Sequence, residues 1–177
     1  MADPPTAAHA PPTPPTPPTP QQTADRVREG MWRNDRASKA LGMQVLRVAP
    51  GAAAITMTVR DDMLNGHDIC HGGLITTLAD SAFAFACNSH GELTLASGFV
   101  IDLLAPARLG DVLTARCTEV SKAGRTGVYD VDVTNHRGER IAVFRGRSYT
   151  MKGKPAVPGT VPPDPDLDPA PSSGPID

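Results

Sequence analysis

An aspartate lies in the middle of a long apolar stretch of this sequence. From Leu74 to Cys87 the chain is apolar on nearly every face of a helix, and Asp80 interrupts it. A carboxylate on a buried helix is costly unless it is paired, hydrogen-bonded or used in chemistry. Gly72 and Gly73 come just before, and their backbone N–H groups can point at a ligand beyond the helix start. One acid and one set of oxyanion donors are the minimal requirements for acyl chemistry.

The other elements must position this helix. Residues 25–39 predict a short amphipathic helix, and residues 42–48 and 53–59 predict a hairpin. His90 and Gly91 are expected to end the central helix. Short turns join the later segments, so they predict antiparallel neighbours. Four strands are predicted there: 95–104, 112–120, 126–135 and 141–149.

This pattern predicts an α+β domain, with one antiparallel sheet wrapped around one long central helix. A helix that is apolar all round needs more cover than one sheet face gives. We therefore expect a second subunit over its remaining side.

Both ends of the 177-residue chain differ in composition from its middle. Residues 1–23 contain the run PPTPPTPPTP, which cannot build a packed core. Residues 153–177 are rich in Pro, Gly, Ser and Asp. Both segments are predicted to be disordered, so the domain is expected to span residues 24–152.

Composition argues against several classes of protein. A net charge of −2 gives no basic surface for nucleic acid. The N-terminus does not resemble a signal peptide, and no run is long enough to span a membrane, so a cytoplasmic protein is expected. The three cysteines have no CxxC spacing, so neither disulfides nor a zinc site is indicated. His67, Asp68 and His71 could bind zinc, but their spacing matches no common site.

Longer phrases of the sequence resemble a known family. NGHDICHGGLITTLADSAFAFACN, IDLLAPARLGD, RTGVYDVDVTN and FRGRSY resemble the PaaI-type acyl-CoA thioesterases of the hotdog-fold superfamily. The resemblance covers roughly Gly42 to Tyr149. It implies a hotdog domain that pairs edge to edge with a second copy, as a dimer or a dimer of dimers, with active sites at the subunit interface. It also implies hydrolysis of acyl-CoA or aryl-CoA thioesters, in particular phenylacetyl-CoA and hydroxyphenylacetyl-CoA in phenylacetate degradation, without metal or organic cofactor.

The resemblance assigns roles to individual residues. The catalytic carboxylate falls on Asp80, the oxyanion glycine on Gly72, and the side chain that helps hold the thioester carbonyl on Asn65. A serine or threonine near the attacking water falls close to Ser97. His71 could either hold its loop by a hydrogen bond or touch the substrate. Asn65 also precedes a glycine, which is typical of a turn.

Further residues have two interpretations each. Arg125, Arg145 and Arg147 could meet the CoA phosphates, or they could be solvated ends of strands. Phe83 could belong to the core, to an aryl-binding wall, or to both. Asp80 could act as a general base toward water, or as a nucleophile that forms a mixed anhydride.

The spacing of the two central residues has a consequence. Gly72 and Asp80 are eight residues apart, which on a helix is about 12 Å of rise. That is too far for both to reach one carbonyl group at hydrogen-bond distance. Each site is therefore expected to combine Gly72 from one subunit with Asp80 from the other.

Two other functions remain open at this point. A hotdog hydratase or dehydratase would need a His and acid pair at the acyl chain, and His71 is available. A non-catalytic acyl-CoA sensor would keep the fold and lose the chemistry. The layout of HGG followed by LAD favours hydrolysis over hydration, and the presence of Asp80, Gly72 and Asn65 argues against a sensor.

Overall fold

The computed structural model describes residues 17–160, which form three helices, one short 3-10 turn and six strands. No helix in this range is long and apolar enough to cross a membrane. The helices are α1 (Pro20–Asn34), α2 (Arg36–Ala40) and α3 (Gly72–Asn88), and the 3-10 turn is Asp61–Met63. The strands are β1 (Gln44–Ala49), β2 (Ala52–Thr58), β3 (Glu92–Leu103), β4 (Val112–Ala123), β5 (Thr126–Thr134) and β6 (Arg140–Pro155).

The six strands make one antiparallel sheet in the order β1-β2-β4-β5-β6-β3. This confirms the predicted fold class. The order of the strands differs from the one that short turns predict, in which β3 would lie beside β4. Instead β3 pairs with β6 and β4 pairs with β2. The connection over residues 104–111 is long enough to cross between these positions. As a result, β3 is an edge strand of the sheet in one chain.

Helix α3 is the centre of the core. The centroid of the Phe83 ring on this helix lies 5.4 Å from the ring centroid of Tyr129 and 5.8 Å from that of Phe144. Gly146 of β6 lets this ring approach the sheet, because a Cβ there would lie 2.9 Å from the Phe83 ring. Nine residues of α3 are buried: Ile75, Leu78, Ala79, Ala82, Phe83, Phe85, Ala86, Cys87 and Asn88.

The helix ends differ in detail from expectation. His71 is the N-cap of α3, so Gly72 and Gly73 are its first two residues. The C-cap is Ser89, whereas Gly91 follows two residues later with a φ of 92°. His90 does not cap the helix; its ring nitrogen lies 2.7 Å from the Glu119 carboxylate. The predicted helix over residues 25–39 is divided, since Asp35 ends α1 and caps α2.

The domain extends beyond both predicted boundaries. Helix α1 starts at Pro20, where Thr19 and Gln22 form a capping box, so residue 24 lies inside a helix. Strand β6 continues to Pro155, and the buried Thr160 bonds the Gly91 carbonyl. These contacts are hydrogen bonds rather than apolar packing, so the low apolar content of the two segments did not indicate them. Residues 1–16 and 161–177 lie outside the described range, so their predicted disorder stays a prediction.

Candidate active site

The start of α3 presents a free backbone donor. The His71 side chain accepts a hydrogen bond from Gly73 N at 3.0 Å, which caps the helix. Within residues 17–160 nothing accepts a hydrogen bond from the Gly72 N–H. Because this donor lies at the positive end of a 17-residue helix, it suits a developing negative charge. His71 therefore holds the loop that presents Gly72, as one of its two interpretations predicted.

Asn65 lies in the same cleft as Gly72. Its side-chain oxygen accepts from His67 N at 2.9 Å, and its backbone N donates to Ile69 O at 2.8 Å. The turn role of Asn65 is thus confirmed. Its side-chain NH₂ has no acceptor in the part of the chain that the structure describes, so it remains a donor for a ligand. The shared cleft measures about 460 Å³ and is lined by Leu103, Leu104 and Pro106, among others.

Asp80 lines a different cleft, of about 300 Å³, between α3 and β3. The carboxylate is half-buried, and no hydrogen-bond or ion-pair partner for it exists among residues 17–160. Burial therefore acts unopposed and raises the pKa of Asp80. Most of the surroundings are apolar, and they include Met31, Phe83, Leu95 and Ala156. An unpaired carboxylate facing an apolar cleft is typical of a catalytic base.

The structure thus brings Gly72 and Asn65 together and keeps Asp80 apart from them. In one chain the candidate groups lie in two separate clefts, which agrees with the eight-residue spacing along one helix. Strand β3 borders both clefts, because Leu95 and Ala96 line the Asp80 cleft and Leu103 lines the Gly72 cleft.

Ser97 has a modest structural role in one chain. It lies exposed on edge strand β3, at an irregularity of the pairing with β6. Its hydroxyl donates to the Arg147 carbonyl at 3.1 Å. The neighbouring Ala96 lines the Asp80 cleft. A role near the attacking water stays a prediction for Ser97.

The three candidate CoA-binding arginines differ in their partners. Arg145 makes two hydrogen bonds to Asp130, at 2.6 and 2.7 Å, so its charge is already matched. Arg147 lies against Gly98 of the edge strand, and Arg125 lies in the exposed β4–β5 turn. No carboxylate of residues 17–160 pairs with either of these two arginines. Arg147 and Arg125 are therefore better candidates than Arg145.

Metal ligation is not supported by the positions of the side chains. Within residues 17–160 no three His, Cys, Asp or Glu side chains lie close enough together to hold a metal ion, and His67, Asp68 and His71 are no exception. The three cysteines, Cys70, Cys87 and Cys117, are buried free thiols.

Sequence reasoning missed part of the Asp80 cleft. Ala156 was assigned to the disordered tail, and Met31 only to a surface helix. Helical spacing could have indicated that Met31 packs inward, since it follows Val27 by four residues. Nothing local indicates Ala156. Phe83 is 1% exposed and also lines the cleft, so it belongs to both the core and the cleft wall.

Comparisons with known proteins agree with this architecture. A model of the thioesterase superfamily matches residues 67–142. The acyl-coenzyme A thioesterase PaaI of Escherichia coli is 46% identical over 123 residues, which are 70% of this chain and 88% of that protein. The chain belongs to the thioesterase superfamily, and within it to the PaaI-type proteins with the hotdog fold.

Solved structures give the same result. The E. coli PaaI protein from the phenylacetic acid degradation operon matches with a TM-score of 0.75 and 42% identity, over 77% of this chain and 99% of that chain. The protein smu.793 of Streptococcus mutans, solved bound to acetyl CoA, matches with a TM-score of 0.60 and 28% identity. That match covers 62% of this chain and 88% of the other.

Proposed function

We propose that the protein is an acyl-CoA thioesterase that hydrolyses thioesters to a free acid and CoA. The observation that carries this proposal is Asp80, a half-buried carboxylate without a partner among residues 17–160, in an apolar cleft on the central helix. The similarity to E. coli PaaI supports the same reaction. A cytoplasmic location is part of this proposal.

The thioester carbonyl would bind at the start of α3. Gly72 N–H and the Asn65 side-chain NH₂ share one cleft and can both donate to the carbonyl oxygen. As a nucleophile adds to the carbonyl carbon, negative charge develops on this oxygen. The helix end then stabilises the charge more than it stabilised the neutral carbonyl, which lowers the barrier.

Asp80 supplies the oxygen nucleophile by one of two routes. As a base, it takes a proton from water, the hydroxide adds to the carbonyl carbon, the C–S bond breaks, and the thiolate of CoA recovers the proton. As a nucleophile, it attacks the carbon itself and expels the thiolate, and water hydrolyses the resulting mixed anhydride. A single turnover in heavy-oxygen water separates them. Label in Asp80 supports the anhydride, and label only in the product acid favours water attack.

Two subunits would complete each site through their β3 strands. Strand β3 is an edge strand with exposed apolar side chains, including Leu95 (54%), Val100 (60%) and Leu103 (53%). Such an edge favours pairing with another strand. Leu95 and Leu103 lie four residues to either side of Phe99. Antiparallel pairing of two β3 strands about Phe99 would place the Asp80 cleft of one subunit against the Gly72 cleft of its partner.

The substrate we propose is an aryl-acetyl thioester, phenylacetyl-CoA or hydroxyphenylacetyl-CoA, as part of phenylacetate degradation. Most residues that line the cleft beside Asp80 are apolar, with Phe83 among them, which suits an aromatic group. The relation to a PaaI protein from a phenylacetic acid degradation operon supports this choice.

The test is CoA release from a panel of thioesters by the native protein and by Asp80→Asn. The panel contains phenylacetyl-CoA, a hydroxyphenylacetyl-CoA, benzoyl-CoA and medium-chain acyl-CoAs. We expect turnover that favours the aryl-acetyl members and a loss of at least about 100-fold in the variant. A hydratase would leave the thioester intact. Tight acyl-CoA binding without turnover would replace this proposal with the sensor function.

A further inference from the structure

We propose that Met31 of α1 and Ala156, just after β6, form the wall that limits the size of the acyl group beside Asp80. This inference rests on the proposed thioesterase function. It assigns substrate selection to two residues outside the helix and sheet unit that carries the catalytic groups.

The lining of the cleft indicates this division. Helix α3 contributes Asp80 and Phe83, and β3 contributes Leu93 and Leu95. These two elements do not enclose the cleft completely. Met31 and Ala156 supply the rest of its boundary, and both are only partly buried.

The segment that carries Ala156 is fixed by its own contacts. Ala156 N donates to the Gly91 carbonyl at 2.8 Å, and the Thr160 hydroxyl donates to the same carbonyl at 2.7 Å. Thr160 is 9% exposed, so this bond is shielded from water. A fixed segment gives the wall a definite position and a definite pocket size.

Helix α1 packs closely against the segment that carries Ala156. A Cβ built at Gly30 would lie only 2.6 Å from Val157 Cγ1, so Val157 occupies the space that a side chain at residue 30 would need. Gly30 directly precedes Met31, and Val157 directly follows Ala156. The two wall residues are therefore positioned by one close contact between α1 and the end of the domain.

The size of the cleft indicates which acyl groups fit. Its volume is about 300 Å³, while an apolar cavity of about 150 Å³ is enough to bind benzene. One aromatic ring and its connecting methylene fit this space, whereas a long acyl chain must extend past the wall. Shortening Met31 should therefore admit longer chains, and enlarging Ala156 should exclude the ring.

The experiment compares Met31→Ala and Ala156→Leu in the full chain with Glu29→Ala, an exposed position on the same helix that does not line the cleft. The readout is kcat/KM for acetyl-CoA, phenylacetyl-CoA and dodecanoyl-CoA. Each methylene moved from water into an apolar pocket gains roughly four-fold. We therefore expect Met31→Ala to raise the dodecanoyl to phenylacetyl ratio by about ten-fold or more.

Ala156→Leu should lower the phenylacetyl to acetyl ratio by a similar factor, and Glu29→Ala should leave both ratios unchanged. If both wall variants retain the native ratios within about two-fold, the inference is wrong, even where total activity falls. A ratio of two kcat/KM values does not change when part of the protein is unfolded. Met31→Ala should enlarge the cleft, whereas Ala156→Leu should make it smaller. If the unmodified protein hydrolyses none of the three thioesters, the proposed function itself fails, and this appears before any substitution is made.

Discussion

Two aspartates of this protein show that burial alone does not identify a functional carboxylate. The side chain of Asp111 is 3% exposed, yet Arg108 N and Arg137 donate hydrogen bonds to it. Burial alone would raise its pKa, but these bonds hold the pKa of Asp111 below its usual range. Asp80 is more exposed to solvent than Asp111 and has no such partner among residues 17–160. The missing partner is what makes Asp80, rather than Asp111, the candidate catalytic carboxylate.

The raised pKa of Asp80 predicts the pH dependence of catalysis. Asp80 must be ionised to act as base or nucleophile, so activity falls as pH decreases through this pKa. The acid limb of kcat/KM for phenylacetyl-CoA should therefore lie above the value of about 3.9 expected for an exposed aspartate. The control is the residual activity of Asp80→Asn, which should lack this limb. A limb at or below the ordinary aspartate value would contradict the assignment.

Thermal stability at two pH values distinguishes a catalytic role of Asp80 from a purely structural one. The folded-state pKa of Asp80 is raised, so the ionised form destabilises the fold above that pKa, and the cost disappears at lower pH. Asp80→Asn should raise the Tm at pH 8, with a smaller gain at pH 4. A lower Tm at pH 8 would indicate that Asp80 stabilises the fold instead.

The oxyanion role of Gly72 can be tested by removing its N–H alone. Gly72 is the first residue of α3, where proline is tolerated and its missing N–H breaks no helix bond. Gly72→Pro should reduce kcat by about 100-fold or more. Gly72→Ala is the matched control, because it adds the same Cβ, 2.6 Å from Leu103 Cδ1, and keeps the N–H. Equal losses in both variants would point to steric effects rather than a lost donor.

At the scale of elements, one side chain ties α3 to the edge strand. Asn88 is 5% exposed and exchanges two hydrogen bonds with the backbone of Thr94, at 2.8 and 2.9 Å. It also bonds the Ala84 carbonyl at 3.0 Å. Asn88 and Thr94 both line the Asp80 cleft, so this side chain fixes the two elements that border that cleft.

Loss of this side chain should therefore destabilise the domain. Asn88→Ala leaves buried backbone groups of Thr94 unpaired, and we expect the free energy of unfolding to fall by about 2–3 kcal/mol. Denaturant titration measures this change. Asn34→Ala, at the exposed end of α1, is the control and should change stability by less than about 0.5 kcal/mol. An equal effect of the two substitutions would remove Asn88 from this role.

At the scale of the whole molecule, the separation of the two clefts is the reason for proposing a site shared by two subunits. The Gly72 and Asp80 clefts border opposite ends of β3, and the sheet ends at that strand. Pairing two such edges would bury their apolar side chains and remove the exposed edge.

Mixed subunits test the shared site directly. Gly72→Pro and Asp80→Asn subunits are each expected to retain at most about 1% of native activity alone. A heterodimer would have one site with both groups intact, so an equal mixture after refolding should regain about a quarter of native activity. Mixing two preparations of the same variant is the control. No recovery in a verified heterodimer would mean that each site draws both groups from one subunit.

Much of this protein could be predicted from its sequence, because the relevant signals are local. The apolar run around Asp80 indicated the central helix, and alternation indicated the strands, since periods of 3.6 and 2 follow from backbone geometry. The HGG and LAD phrases indicated the family. The eight-residue spacing of Gly72 and Asp80 also predicted their separation, because helix rise is fixed.

Other features were decided only by the tertiary structure. The position of β3 beside β6 depends on packing between residues distant in sequence, so turn lengths could not predict it. The pairing of Arg145 with Asp130 depends on the register of β5 and β6. Ala156 joins the Asp80 cleft because the end of β6 returns to Gly91, a contact 65 residues apart in sequence. Sequence patterns report local conformation, whereas a cleft is made where distant segments meet.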